Sequence, residues 1–502
     1  MLVGALAAGT PLVASGRAVA AGRTAGQAEA PAAAPTAAET TAEPVYRSRP
    51  DIVAAVLTTT RTGREDPGLL LSTPSGSRSA PPSEAAASDD GDEPPEEPPS
   101  PRGAAIYDND GELVWWYPGQ HGVISPITFR GRPALSMFSN GQGIVLDASY
   151  QEIASFTIVG LTADAHEFTI SPDSSRVLHL SYLPVPYDLS PYGGSVDGVV
   201  VTSIIQEQDA TTGEVTWEWD ALDHIPLTET HQTIQNGVHF VHTNSLKYDH
   251  DGNILMSGKE TSTIYKIDRS SGEIIWRFGG KASDFTFADP ESMPSSQHDA
   301  LRLADGRLSV FDNGNHRDPQ YSRGAVWSLD ETTMTATLDE DLQPDEPVFS
   351  PSGGSNQMTD SGSHLVAYGI TSRIVEFLDG EPVFTANFED GRQSYRVRRA
   401  GWKGTPAVPP DVAWTVPDAA GRRTFYVSWN GATEVRCWRI EARVPLLGYV
   451  PLDTVRRTGF ETAATVTAPR KATRYRIRAL DRHGHVLGTR EITEEDTPPL
   501  PE

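Results

Sequence analysis

The sequence predicts an all-β protein. Its 502 residues include 44 glycines and 39 prolines, and this abundance of turn-forming residues favours short strands joined by turns. Apolar segments with strand character recur along the chain, whereas long amphipathic helical periods do not, which disfavours a parallel α/β sheet. The hydrophobic content of 38%, with 10 Trp, 15 Tyr and 15 Phe, is enough for a large core.

Composition also limits the partners of the chain. A formal net charge of -26 argues against nucleic acid and against an anionic membrane surface. Cys437 is the single cysteine, which excludes an intramolecular disulfide and a thiolate metal cluster. No apolar run reaches the roughly 18 residues of a membrane-spanning helix. We therefore expect small-molecule partners and no membrane span.

Residues 1–44 have two interpretations. Residues 2–13 form a short run of apolar and small residues, and Ala18, Val19 and Ala20 resemble a signal-peptidase site. A basic segment ahead of that run is missing. The segment is either a signal sequence, which predicts a secreted or extracytoplasmic protein, or an Ala-rich tail. Residues 21–44 are expected to be a disordered tail, since they offer little to bury.

A composition break interrupts the first strands. Strand patterns appear at residues 51–60, 68–72 and 104–107. Between the last two, residues 73–102 are rich in Pro, Ser, Ala and acidic residues, a composition that cannot form a packed core. We expect this segment to be a disordered acidic insertion in an expanded hairpin loop and not a domain boundary.

A turn motif repeats from about residue 104 to residue 388. A strand ends in Asp, a turn ends in Gly-Glu, and an aromatic residue follows three positions after the Glu. The aromatic residues of the four copies are Trp115, Trp217, Trp276 and Phe384. Asp can cap the turn and Gly can adopt its positive φ. The motif predicts hairpins whose aromatic residue packs between neighbouring sheets.

Histidines open a second repeated segment. His166, His242 and His298 each stand a short way ahead of a turn-and-strand unit. One repeat would then be a histidine-bearing inner hairpin followed by an outer hairpin, and four-stranded units of this kind are stable when they stack radially. We predict a six-bladed β-propeller over residues 45–405, in which the three imidazoles converge on one cavity.

The last part of the chain has a different pattern. After a Pro-rich segment, residues 406–495 contain alternating strands at the spacing of a β-sandwich. The placements of Trp429 and Tyr475 resemble those of a fibronectin type III module. We expect a second, small fibronectin type III-like domain there.

Three histidines suggest a metal site as a first hypothesis. A three-histidine site suits zinc with an open coordination position. The sequence has no short-spaced histidine pair, so the ligands would have to come from three blades. The residues two positions after the histidines, Phe168, Asn244 and Ala300, also differ from one another. A role other than metal binding is favoured, and no cofactor is expected.

Nucleophilic catalysis is the second hypothesis. A neutral imidazole can accept a sulfuryl or phosphoryl group and so divide one difficult transfer into two easier ones. Fixed donors must then hold the charged oxygens of the group. The other two histidines, the Asn244 amide and the Lys259 ammonium are the candidates. Such a mechanism predicts ping-pong kinetics.

Several of these segments resemble a known family. His242 and Asn244 in a His-x-Asn hairpin, His298 in Gln-His-Asp-Ala, and Asn313 in Phe-Asp-Asn-Gly are similar to the bacterial arylsulfate sulfotransferases (arylsulfotransferases), and the resemblance covers roughly residues 45–400. It implies a six-bladed propeller that moves sulfuryl from a phenolic sulfate ester to a phenol through a sulfohistidine, without a nucleotide donor. It also implies that His298 is the nucleophile and that His166, His242 and Asn244 hold the sulfuryl oxygens.

The sequence departs from the family pattern at one charged position. The family carries Arg after the His-x-Asn hairpin, whereas this chain has Lys259. Lysine keeps the positive charge but lacks the planar fork that fits two sulfate oxygens. The resemblance therefore leaves the rate and the substrate range open at this position.

Other interpretations also fit parts of the sequence. His166 could be a structural residue that bonds across a blade. A non-catalytic secreted propeller that binds glycans or surface partners would account for export and acidity, but not for the repeated histidines. A quinoprotein-type dehydrogenase shares the Trp-bearing repeat, yet it needs a carboxylate-bound calcium and a catalytic Asp that the sequence does not provide.

Overall fold

The computed structural model describes residues 45–76, 102–389, 391–469, 472–495 and 500. The predicted signal-like segment and tail lie outside the described residues, as does most of the acidic insertion. The predicted insertion starts too early, however, because the strand before it continues to Ser75. The first four strands are β1 (Leu57–Arg61), β2 (Leu69–Ser75), β3 (Gly103–Tyr107) and β4 (Leu113–Pro118).

Two antiparallel sheets follow in chain order. Sheet II contains β5 (His121–Phe129), β6 (Arg132–Ser139), β7 (Gln142–Leu146) and β8 (Glu152–Phe156). Sheet III contains β9 (Phe168–Ile170), β10 (Arg176–Tyr187), β11 (Gly198–Asp209), β12 (Val215–Asp220) and the short parallel β13 (Gly237–Val238). The 3₁₀ turn Ser190–Tyr192 connects β10 with β11, and the α-helical turn α1 (Ala221–His224) and the 3₁₀ turn Leu227–Glu229 follow β12 on the way to the next sheet.

Sheets IV and V complete this series. Sheet IV contains β14 (Thr243–Tyr248), β15 (Ile254–Gly258), β16 (Thr263–Ile267) and β17 (Ile274–Gly279). Sheet V contains β18 (Thr286–Phe287), β19 (His298–Arg302), β20 (Leu308–Asp312), β21 (Arg323–Asp330) and β22 (Thr335–Leu342), with the 3₁₀ turn Pro290–Ser292 ahead of β19. Each sheet is built from consecutive hairpins, as the turn motif predicts.

The two ends of this region meet in the remaining sheets. Sheet VI contains β23 (Ser355–Met358), β24 (His364–Ala367), β25 (Arg373–Leu378) and β26 (Glu381–Phe388), and β1 pairs with β26 at its outer edge. Sheet I has the order β27-β2-β3-β4, in which β27 (Gln393–Ala400) pairs with the N-terminal β2. Strands from both ends of the chain thus share two sheets.

The six sheets contact one another in cyclic order. Sheet I contacts sheet II, each later sheet contacts the next, and sheet VI contacts sheet I. Six buried apolar clusters lie between the successive pairs of sheets. The motif residues Trp115, Trp276 and Phe384 are buried in three of these clusters, and Trp217 packs against a fourth. The all-β propeller class is therefore confirmed, and the count of six blades stays a prediction.

The C-terminal region is a β-sandwich. One sheet has the order β28-β29-β32 and the other β31-β30-β33-β34, and a single apolar cluster fills the space between them. The strands are β28 (Asp411–Trp414), β29 (Arg422–Ser428), β30 (Cys437–Val444), β31 (Gly448–Arg456), β32 (Glu461–Thr467), β33 (Arg474–Leu480) and β34 (Val486–Thr493). The likeness to a fibronectin type III module stays a prediction.

The sandwich docks on the edge strand β4 of sheet I. The Asn430 amide donates to the Trp116 carbonyl at 2.8 Å and accepts from the Trp116 N–H at the same distance. The Gly431 N–H donates to the Val114 carbonyl at 2.8 Å. An exposed edge strand invites pairing with other chains, and these contacts cover it. Within the described residues, no helix has the length and apolarity to cross a membrane.

Candidate active site

The three predicted histidines occupy equivalent places in sheets III, IV and V. His166 lies two residues before β9, His242 directly before β14, and His298 is the first residue of β19. Each of these strands lies at one end of the strand order of its sheet, and they contact one another from sheet to sheet. The His166 and His242 rings lie 5.3 Å apart, and Tyr395 on β27 lies 5.3 Å from His166 and 5.9 Å from His298. The structure thus brings the three histidines together, with Tyr395 beside both His166 and His298.

The backbone is irregular where these histidines enter their strands. The pairing register shifts between Thr243 and Ser245 in β14 and between His298 and Leu301 in β19. His242 itself has a φ of 54°, in the left-handed region that side chains other than Gly rarely adopt. Bulges of this kind re-aim side chains near active sites.

Hydrogen bonds fix the tautomer of His298. The side chain is fully buried, and its Nδ1 lies 2.7 Å from Asn313 Oδ1. The Asn313 NH₂ group donates to the Ser350 carbonyl at 2.7 Å and to the Gly353 carbonyl at 3.0 Å, which fixes the orientation of the amide. Its oxygen must therefore accept from His298 Nδ1–H, which leaves the lone pair on Nε2. The Gly353 N–H donates to that lone pair at 3.1 Å.

His298 is also held in the neutral state. Burial lowers the pKa of His298 to about 3, and the nearby His166, Arg396 and Lys259 act in the same direction, against the Asn313 hydrogen bond. A neutral imidazole with a defined lone pair is the form that can attack an electrophile. The chemistry and the environment of His298 are therefore consistent.

His166 and His242 have different surroundings. His166 Nδ1 lies 2.5 Å from Asp164 Oδ1, so the carboxylate accepts a hydrogen bond from Nδ1–H and orients the ring. His242 stacks on His239 at 4.4 Å, and its Nδ1 is 3.9 Å from Glu260 Oε1, beyond hydrogen-bonding distance. Burial, with the neighbouring His239 and His166, lowers the pKa of His242 to about 2. Its ring is neutral at neutral pH.

The Asn244 amide holds backbone in this structure. Its Nδ2 donates to the Gln297 carbonyl at 2.7 Å, which is the residue directly before His298. Its buried Oδ1 has no hydrogen-bond partner among the described residues. The geometry supports a role for Asn244 in placing the His298 segment. Its predicted contact with sulfuryl oxygens stays a prediction.

Lys259 is part of a close ion pair. Its Nζ lies 2.6 Å from Glu260 Oε1, and both side chains are only 15% exposed. The carboxylate offsets part of the charge that Lys259 could direct at an anion. Glu260 is the next residue in the chain, and the prediction for Lys259 did not include it.

Further residues, to which the sequence assigned no role, surround the histidines. Tyr182 donates its hydroxyl proton to the Thr243 carbonyl, and its ring lies 4.4 Å from that of His239. Asn313 had the signal of a turn, since it stands in Phe-Asp-Asn-Gly directly after a strand. The spacing of His239 and His242 is the signal that could have found His239. Among the described residues, no group of histidines and carboxylates has a geometry that could hold a metal ion.

A family model described as "Arylsulfotransferase (ASST)" matches residues 127–389, slightly more than half of the chain. The chain belongs to the arylsulfotransferase family. The resemblance of the sequence to this family is therefore confirmed, and sulfotransferase activity on phenolic compounds follows from it as a class of function. The matched range contains His166, His242, Asn244, Lys259 and His298, whereas Tyr395 lies beyond its end.

Solved structures similar to this arylsulfotransferase family member have low sequence identity. A protein of unknown function from Bacteroides caccae is 13% identical, with a TM-score of 0.40, over 67% of this chain and 100% of its own. Virginiamycin B lyase from Staphylococcus aureus is 12% identical, with a TM-score of 0.30, over 70% of this chain and 85% of its own. A search of curated proteins found no match.

The buried neutral histidines predict sensitivity to acid. Burial lowers the pKa of His179 and of His239 to about 4, in addition to its effect on His242 and His298. Below their unfolded pKa of about 6.5, these groups take up protons in the unfolded chain but not in the folded one, so stability falls as pH falls. Urea unfolding at pH 7 and at pH 5 should show that the free energy of unfolding falls by on the order of 1 kcal/mol for each pH unit and each histidine. His179→Gln should reduce the loss, and an equal loss in this variant would contradict the assignment.

Proposed function

We propose that this arylsulfotransferase transfers a sulfuryl group from a phenolic sulfate ester to a phenol through a sulfohistidine on His298, without a nucleotide donor. The observation that carries the proposal is the Asn313 hydrogen bond, because it puts the lone pair of a neutral, buried imidazole on Nε2. A nucleophile in this state needs no base to activate it.

The proposed reaction has two balanced half-reactions. In the first, Nε2 attacks sulfur, the bond between sulfur and the donor's phenolic oxygen breaks, and the phenolate takes up a proton from solvent. In the second, the oxygen of the acceptor phenol attacks sulfur, the N–S bond breaks and returns its electron pair to Nε2, and the phenolic proton is released to solvent. The hydrogen bond from the Gly353 N–H to Nε2 must break when the sulfate ester binds. This N–H can then donate a hydrogen bond to a sulfuryl oxygen.

Neighbouring residues have distinct proposed roles. His242 and, as an imidazolium that keeps Asp164 as its counter-ion, His166 lie beside the reacting group and donate to sulfuryl oxygens. Asn244 and Lys259 support the site from the hairpins of sheet IV. Asp164 orients the His166 ring through Nδ1, so the opposite ring nitrogen faces away from the carboxylate.

We extend the proposal to a secreted or extracytoplasmic location. N-terminal sequencing of protein recovered outside the cytoplasm of the producing cell would test it.

Intact-mass analysis tests the proposed intermediate. Para-nitrophenyl sulfate without acceptor should add the mass of one SO₃ group to the protein, and a phenol acceptor should remove it. Steady-state rates should give the parallel double-reciprocal lines of a ping-pong mechanism. Turnover with a nucleotide sulfate donor and without an adduct would contradict the proposal.

A further inference from the structure

Five charged side chains form a cluster on the strands that carry the site. The cluster consists of Glu167, Lys247, Asp299, Arg396 and Arg398. Four of these side chains are at most 6% exposed, and Lys247 is 18% exposed. The members come from the segments at β9, β14, β19 and β27. Charges buried to this extent must be paired to be stable.

Arg396 is the residue that joins the three histidine segments. Its Nη1 lies 2.8 Å from Oε2 of Glu167, the residue that follows His166 in the sequence. Its Nε lies 3.6 Å from Oδ1 of Asp299, the residue that follows His298. Its Nη2 donates at 2.6 Å to the carbonyl of Asn244, which lies two residues after His242. A planar guanidinium offers donors in several directions at fixed angles, and lysine cannot reproduce this geometry.

The cluster contains more basic than acidic groups. Arg396, Arg398 and Lys247 face two carboxylates, since Lys247 also contacts Glu167 at 2.8 Å and Arg398 forms a bidentate pair with Asp299. Burial, together with the repulsion of Arg396 and Arg398, lowers the pKa of Lys247 despite its carboxylate partners. An anion near the cluster would relieve this repulsion.

We propose that Arg396 is a positioning residue that holds the three histidine segments together, and that its cluster supplies the positive counter-charge for the sulfuryl group. This inference rests on the proposed function. It also explains how the site can receive an anion although Lys259 is paired with Glu260. The cluster thus adds positive charge to a site for which the sequence offered Lys259 as the cation, beside the histidines and Asn244.

Binding of a sulfonate tests the charge of the cluster without turnover. Benzenesulfonate presents three oxygens and a negative charge, and benzenesulfonamide has nearly the same shape without the charge. By calorimetry, Arg396→Gln should weaken benzenesulfonate binding about tenfold or more and leave benzenesulfonamide within about twofold. Arg399→Gln is the matched control, because Arg399 lies on the same strand and forms a buried ion pair with Glu376 at 2.8 Å, which the variant loses. It should change neither affinity.

A variant that removes a negative charge covers the case in which Arg396→Gln does not fold. Glu167→Gln replaces the carboxylate with an uncharged amide of similar shape. Benzenesulfonate should then bind several-fold more tightly, on the order of the effect of one nearby charge. A purely structural role for the cluster predicts weaker or unchanged binding. Unchanged selectivity for the sulfonate in Arg396→Gln, or weaker or unchanged binding in Glu167→Gln, would overturn the charge assignment.

Arg396→Lys separates positioning from charge. Lysine keeps the positive charge but cannot contact all three histidine segments, so sulfonate affinity should stay within about threefold while kcat falls about tenfold. An unchanged kcat would overturn the positioning role. If the wild type binds benzenesulfonate with this charge dependence but transfers no sulfuryl group, then the proposed function fails and the anion site stands.

Discussion

Replacing His298 with asparagine is expected to abolish both the covalent adduct and sulfuryl transfer. The amide cannot accept the sulfuryl group, and the loss of a covalent nucleophile lowers kcat by roughly 10⁴-fold or more. Asparagine is smaller than histidine and polar, so it limits the disturbance of a fully buried site. Intact mass with para-nitrophenyl sulfate and initial rates with a phenol acceptor measure the two effects.

His364 provides the matched control for this substitution. It is buried in sheet VI, and its Nδ1 lies 3.0 Å from Asn356 Oδ1, so the pair resembles His298 and Asn313 in kind and in distance. His364→Asn should lower the melting temperature without abolishing the adduct. If His298→Asn still forms the adduct, then another residue is the nucleophile, and the neighbouring His242 and His166 become the candidates.

The sheets could be predicted because their signals are local. The Gly-Glu turn and the aromatic residue after it lie within one hairpin, and the structure places Trp276 and Phe384 where that motif predicts. The pairing of β27 with β2 had no such signal. Paired residues of the two strands, such as Leu69 and Ala400, are distant in the sequence, and their pairing follows from closure of the ring of sheets.

The histidines of the site were predictable for the same reason. Each has the same place in its repeat, and equivalent places converge at the centre of a ring of sheets. The partners that define their chemistry were not predictable, because those contacts cross from one sheet or loop to another. Asn313 has the local signature of a turn, yet its side chain bonds His298 and the loop at Gly353. Arg396 is similarly one of several arginines in β27 until the structure shows its contacts.

Asn313→Ala is expected to lower kcat by roughly 10²- to 10³-fold, because a nucleophilic or basic histidine loses most of its activity when its tautomer is no longer fixed. Alanine removes the acceptor at His298 Nδ1 and the two donors to the Ser350 and Gly353 carbonyls. The imidazole proton can then move to Nε2, which removes the lone pair from the attacking nitrogen. Single-turnover formation of the adduct measures this step directly.

Asn356→Ala distinguishes this chemical role from the loss of buried hydrogen bonds. Asn356 is also fully buried, accepts at 3.0 Å from His364 Nδ1 and donates to the Val310 and Ala325 carbonyls at 3.3 Å. Replacing Asn356 with alanine therefore removes a comparable set of hydrogen bonds, each worth about 1 kcal/mol. The Asn356–His364 pair takes no part in the proposed transfer. The two variants should melt at similarly lowered temperatures, while only Asn313→Ala slows adduct formation. Equal slowing in both would mean that Asn313 acts through stability, and the orientation of His298 Nε2 would then need another explanation.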